Sequence, residues 1–200
     1  MKVIKKILQI LVVLVVVVGV IAILGKDYVK KQVESAVATT PEAVSEIASK
    51  VGDFSEVSDE YEIDKAASAF GYEGVLAEHD ESGQKMVVVN SGKKPIVTVD
   101  DFENDNVEKK LLDFVNKVKY QSIEVEEFKV IQKGKMTAYG QNDVPYVRFT
   151  AKINKLPVGK VEGIISAVKT SDGDTKMLVS VNDSNKYSQE IATQFFNNIK

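Results

Sequence analysis

The feature that most constrains this chain is a run of nineteen residues at positions 7–25, ILQILVVLVVVVGVIAILG, without a single charge. As a helix it spans about 28 Å at ~1.5 Å per residue, close to the hydrocarbon thickness of a bilayer. Valine is a mediocre helix former in water. In lipid the backbone must satisfy its own hydrogen bonds, and the helix wins. The run therefore predicts a transmembrane anchor. A cleaved signal peptide is the competing reading, because MKVIKK is a good n-region. Against it, the apolar run is longer than a usual h-region, and Ile23-Leu24-Gly25-Lys26 is a poor cleavage site. The small-x-small site Ala36-Val37-Ala38 lies too far past the run. The expectation is an uncleaved, single-pass signal anchor.

Orientation follows from charge. Lys2, Lys5 and Lys6 precede the run, while Lys26, Lys30 and Lys31 follow it with Asp27 offsetting one of them. The α-amino group tips the balance, so the positive-inside bias puts the N-terminus in the cytoplasm and residues 32–200 outside it. Gln9 is the one polar side chain in the run and lies near its cytoplasmic end, where it can snorkel.

Residues 32–200 hold 20 basic and 28 acidic residues, a net of −8. Such a surface repels phosphate backbones, which argues against nucleic acid as a partner. Arg148 is the single arginine, so there is no arginine cluster to grip a phosphate. The absence of cysteine excludes disulfides, thiol nucleophiles, thiolate metal sites and an acylated lipoprotein cysteine. The length is enough for one core of ordinary size.

The organisation read from the chain is a cytoplasmic n-region at 1–6, the anchor at 7–25, juxtamembrane helices and a linker at 26–64, and an α+β domain at 65–200. Val29, Val33 and Val37 recur every four residues and suit a helix continuing above the membrane. Thr40-Pro41 then reads as N-cap and first residue of a second helix, with Val44, Ile47, Ala48 and Val51 as its stripe and Gly52 as its stop. Residues 53–64 are acidic and aperiodic, a linker, and a short helix is expected at 65–70. Strands are expected at 74–78, 85–90 and 95–99. Asp105-Asn106-Val107-Glu108 reads as a capping box opening an amphipathic helix whose stripe is Val107, Leu111, Phe114, Val115 and Val118. A second strand series is expected at 123–132, 135–139, 146–153, 160–169 and 176–181, with turns at Asn154-Lys155-Leu156-Pro157 and Ser171-Asp172-Gly173-Asp174. A closing helix from about Asn185 carries Tyr187, Ile191, Phe195 and Ile199 on one face. Strands, helix, strands, helix predict an α+β fold: an antiparallel β-sheet domain with packed helices.

That order, ending in KMLVSVNDSNKYSQEIATQFFNNIK, resembles the photosystem PsbP-type and bacterial DcrB-like domain family over about residues 68–200. The resemblance implies a sandwich in which residues 177–181 are the final strand and residues 187–199 the closing helix. It also implies a binding or assembly role beside a membrane complex. The family lacks a shared catalytic motif, so no site residue carries over. Many DcrB-like members are lipoproteins, and this chain departs from them by its apolar helix.

Few residues offer chemistry. His79 is the only histidine and stands among acids, in Glu78-His79-Asp80-Glu81. It could act as a base or ligand, but it reads as a polar strand end whose removal costs little. Asp100, Asp101, Glu103 and Asp105, or Asp172 and Asp174, could offer oxygen ligands to calcium. Neither set has EF-hand spacing, and a helix N-terminus and a hairpin turn account for them. No G-x-S-x-G, S-x-x-K or phosphate-loop motif is present. Catalytic residues, cofactors and metals are therefore expected to be none. The expected function is a non-catalytic binding or assembly module at the membrane, acting on a protein partner or small ligand. The alternatives are an accessory subunit or immunity-type protein of a larger membrane complex, and a carboxylate-dependent hydrolase.

Overall fold

Two stretches are apolar on successive residues, Val75-Leu76-Ala77 and Met86-Val87-Val88-Val89, the pattern of strands buried on both faces. The computed structural model, which describes residues 37–200 other than 39, 70, 93–94, 96, 105, 118, 121–122 and 155–159, builds them into the middle of one sheet. Its strands are β1 (Val37–Ala38), β2 (Tyr61–Ala69), β3 (Tyr72–His79), β4 (Lys85–Asn90), β5 (Lys119–Tyr120), β6 (Ile123–Ala138), β7 (Gln141–Ile153), β8 (Val161–Lys169) and β9 (Thr175–Asp183). The order across the sheet is β1-β2-β3-β4-β9-β8-β7-β6-β5, antiparallel throughout. Two meanders thus meet where β4 pairs β9, with Val87 opposite Val179. Every residue of β4 is buried.

Among the described residues four helices cover the sheet: α1 (Pro41–Val51), α2 (Val99–Glu103), α3 (Val107–Lys117) and α4 (Gln189–Asn197). One face packs Val44, Ala48 and Val51 of α1 and Ala192, Phe195 and Phe196 of α4 against Val75, Met86, Val88, Ile164 and Leu178. The opposite face packs Phe102 of α2 and Val107 and Leu111 of α3 against Val87, Val89, Phe149, Ile165 and Val179. Helices on both sides explain why the central strands lack polar alternation.

The expected α+β class with a spanning helix is corrected by this architecture. The described residues are mostly antiparallel β-sheet with a few short helices, none of them long and apolar enough to cross a membrane. The single-pass, signal-anchor expectation therefore has no counterpart in the described fold, and residues 7–25, on which it rested, lie outside the described residues. Val37, expected in a helix, lies in β1 and pairs with Ala67. Residues 61–69, read as linker end and short helix, form β2. A register shift between Ile63 and Lys65 moves the inward side chains from odd to even positions, so the strand shows no clean period of two. Residues 95–99 form no strand among the described residues, because Thr98 caps α2. The two strands expected at 123–132 and 135–139 are one, and the closing helix starts at Gln189. The second helix of that reading stands, with Thr40 at the N-cap position, Pro41 at its start and Gly52 after its end.

Candidate functional site

The core beneath α1 and α4 runs out at Tyr146 on β7 and Ile164 on β8. Side chains project alternately, so the next residues on that face are Arg148 and Thr150 of β7 and Glu162 of β8. There the sheet changes from apolar to polar. The Arg148 guanidinium holds the Glu162 carboxylate through both Nε and Nη2 and lies 5.6 Å from the centre of the Tyr187 ring. Gln132 of β6 donates to the Tyr146 hydroxyl at 3.4 Å. The Tyr187 hydroxyl is buried without a hydrogen-bond partner among the described residues. Burial raises its pKa, with Arg148 opposing and Glu162 and Tyr146 adding to the rise.

The polar strip continues along the same face to β3. Fully buried Gln84 donates to the Ser180 hydroxyl at 2.9 Å and the Ser188 carbonyl at 2.7 Å, and accepts from the Ser188 amide at 2.8 Å. Ser188 in turn accepts from the Ile191 amide and so caps α4. Asn182 donates to the carbonyls of Ser82 and Lys186. These bonds fix the start of α4 against the sheet. On the outer side of that helix an open hollow of about 650 Å³ is lined by Gln189, Glu190, Thr193 and Gln194.

His79 closes the strip. It is the last residue of β3 and leads into a turn, as the sequence predicts, but it is only 9% exposed. Its Nδ1 accepts from the Ser82 amide at 3.2 Å, and its ring meets the Tyr61 ring edge-on at 5.1 Å. Tyr61 donates to the Ile191 carbonyl of α4 at 3.0 Å, and burial pushes its phenol up to about 12. His79 is a packing residue here, and the expectation of a dispensable surface side chain is corrected.

The acidic groups are held apart. Asp101 lies at the start of α2, where it accepts from the Thr98 amide and hydroxyl at 2.8 and 2.9 Å and pairs with Lys110 at 2.6 Å. Burial works to raise its pKa, but Lys110 and Thr98 together bring the carboxyl below its usual range. Asp172 accepts from the Thr170 hydroxyl at 2.6 Å and the Asp174 amide at 3.0 Å, which makes it a turn residue. Among the described residues no three metal-ligating side chains come together. The sequence left Arg148 as a lone charge and placed Tyr187 on a helical stripe. Pairing of β7 with β8 brings Glu162 beside Arg148, opposite Thr150, and Tyr187 precedes α4. The one available signal was that Arg148 is the only arginine among 26 basic residues, at a position where a planar fork differs from a lysine.

The fold and strip define a β-sheet domain with an ordered, largely buried polar seam. No family model matches the chain, and no curated protein matches it.

Proposed function

We propose that this protein is a non-catalytic binding or assembly module that acts outside the cytoplasm, beside a membrane, on a partner protein or small ligand. The observation that carries the reading is that four of the side chains offering chemistry are already engaged as structural partners. His79 is held by Ser82, Glu162 by Arg148, Asp101 by Thr98 and Lys110, and Asp172 by Thr170. A general acid or base must reach a substrate proton, and a nucleophile needs a free base beside it. Groups locked in this way make a rigid, pre-organised frame beneath the surface, which suits recognition. The placement beside a membrane rests on the charge-free sequence at 7–25 alone.

The test is a photo-crosslinking residue at Thr150, on the polar strip, with Glu42 on the outer side of α1 as control. In native membranes Thr150 should yield one discrete adduct, lost with Arg148→Ala, and Glu42 should yield none. Turnover of an ester or glycoside by the purified chain, abolished by Glu162→Gln at unchanged melting temperature, would overturn the reading in favour of a hydrolase.

A further inference from the structure

Strand β6 is the long outer strand of the sheet. Its inner side pairs with β7 from Val125 to Ala138, whereas on its outer side β5 reaches only Ile123 and Glu124. Among the described residues no strand pairs with the outer side from 125 to 138. Ile131, Gln132 and Lys133 are exposed in succession, so both faces of the strand stand in solvent at its middle. An open edge with free amides and carbonyls is a template for another strand. Proteins usually blunt such an edge with bulges and charges, and β6 has a register shift between Val130 and Gln132. The extra residue at that bulge is Ile131, however, an apolar side chain 46% exposed.

The order of charge along β6 says what fits. Glu126 and Glu127 lie on one side of the middle and Lys133 and Lys135 on the other, with Lys129 nearest the centre. A second copy laid antiparallel about a two-fold axis at Val130 puts Glu127 of each strand opposite Lys133 of the other, twice over, Glu126 between Lys133 and Lys135, and Lys129 opposite Ile131. Parallel addition would set like charges side by side. Three of these residues have exposed ion-pair partners on the same chain: Glu126 with Lys152 at 2.8 Å, Glu127 with Lys160 at 3.8 Å and Lys135 with Asp143 at 3.9 Å. Exposed pairs of this kind contribute little and exchange readily. The described chain enters the fold at β1, on the opposite edge of the sheet.

We infer that β6 is a self-association edge, pairing antiparallel with β6 of a second copy of this chain. The ladder is short and bulged, so the dimer is a weak, concentration-dependent one.

Sedimentation velocity of the full chain in mild detergent tests this, with melting curves to establish that each variant is folded. The wild-type chain should show a monomer–dimer equilibrium, and Ile131→Lys should abolish the dimer. Glu126→Lys with Glu127→Lys, and separately Lys133→Glu with Lys135→Glu, should each weaken it by about tenfold or more. An equimolar mixture of the two charge-reversed variants should dimerise again, since one edge is then basic and the other acidic. A wild-type chain that stays monomeric overturns the proposal. So does a dimer indifferent to Ile131→Lys, or a mixture that fails to associate.

Discussion

Gly163 shows how tightly single positions are set. A Cβ built there would lie 2.1 Å from the Ser180 carbonyl oxygen and 3.0 Å from the Phe149 ring. The first neighbour is backbone and cannot swing away. Gly163→Ala should therefore destabilise the fold by roughly 3 kcal/mol or more, as overpacking of a filled core does; chemical denaturation of the purified variant checks it. His79 carries the second prediction at this scale. Its removal leaves a cavity beside Tyr61 and frees the Ser82 amide in a half-buried turn. His79→Ala should cost about 1–2 kcal/mol, with a lower melting temperature and binding retained once the protein is folded. Loss of binding at an unchanged melting temperature would instead make His79 part of a functional site. The sequence could not distinguish these roles, because the acids around His79 suggest a solvated strand end. The burial comes from Tyr61 and α4, far along the chain.

At the scale of elements, what was legible depended on whether the signal was local. Helix α1 was readable because Thr40, Pro41 and Gly52 bracket a stripe spaced for a helix. Strands β4 and β9 were readable because valine-rich apolar runs, broken in β9 by Ser180 alone, suit a strand covered on both faces. Strand β2 was not, since its bulge cancels the alternation. The segment ending at Val99 has strand-like composition, yet the reciprocal bonds of Thr98 and Asp101 turn it into a helix start. That capping box gives α2 a pH dependence. The Asp101 carboxyl is held below its ordinary value, so its charge stabilises the fold above the unfolded pKa near 4. The contribution is lost as pH falls through the lower, folded value. Asp101→Asn should cost about 1 kcal/mol at neutral pH. Its melting temperature should also fall less steeply than wild type on acidification, so that the two curves converge. Parallel curves across the acid range would place the stabilisation elsewhere.

For the whole molecule, the least legible feature is how the segment after α1 is joined to the last residue of the chain. Asp53 and Lys200 exchange backbone hydrogen bonds, Asp53 N–H to Lys200 O at 2.8 Å and Lys200 N–H to Asp53 O at 3.0 Å. Between helix and clasp lies Gly52, where a Cβ would sit 2.6 Å from Ile199 Cγ2. Ile199 is fully buried, and the Tyr139 hydroxyl donates to the Val51 carbonyl from the β6–β7 turn. The sequence places Ile199 on a helical stripe, but it lies past the end of α4, and nothing local announces a partner nearly 150 positions away. The joint ties α1, the last residues of the chain and the β6–β7 hairpin into one layer. Deleting Ile199 and Lys200 should therefore destabilise the whole fold by about 2–5 kcal/mol, the scale for emptying a buried isoleucine site. It should do so without shifting the denaturant dependence, since one cooperative unit is lost together. Gly52→Val strikes the same contact from the other side. The two changes share one cavity, so their combination should cost less than their sum, because the valine occupies space that Ile199 vacates. Full additivity in a double-mutant cycle by urea denaturation would mean that Gly52 and Ile199 do not meet.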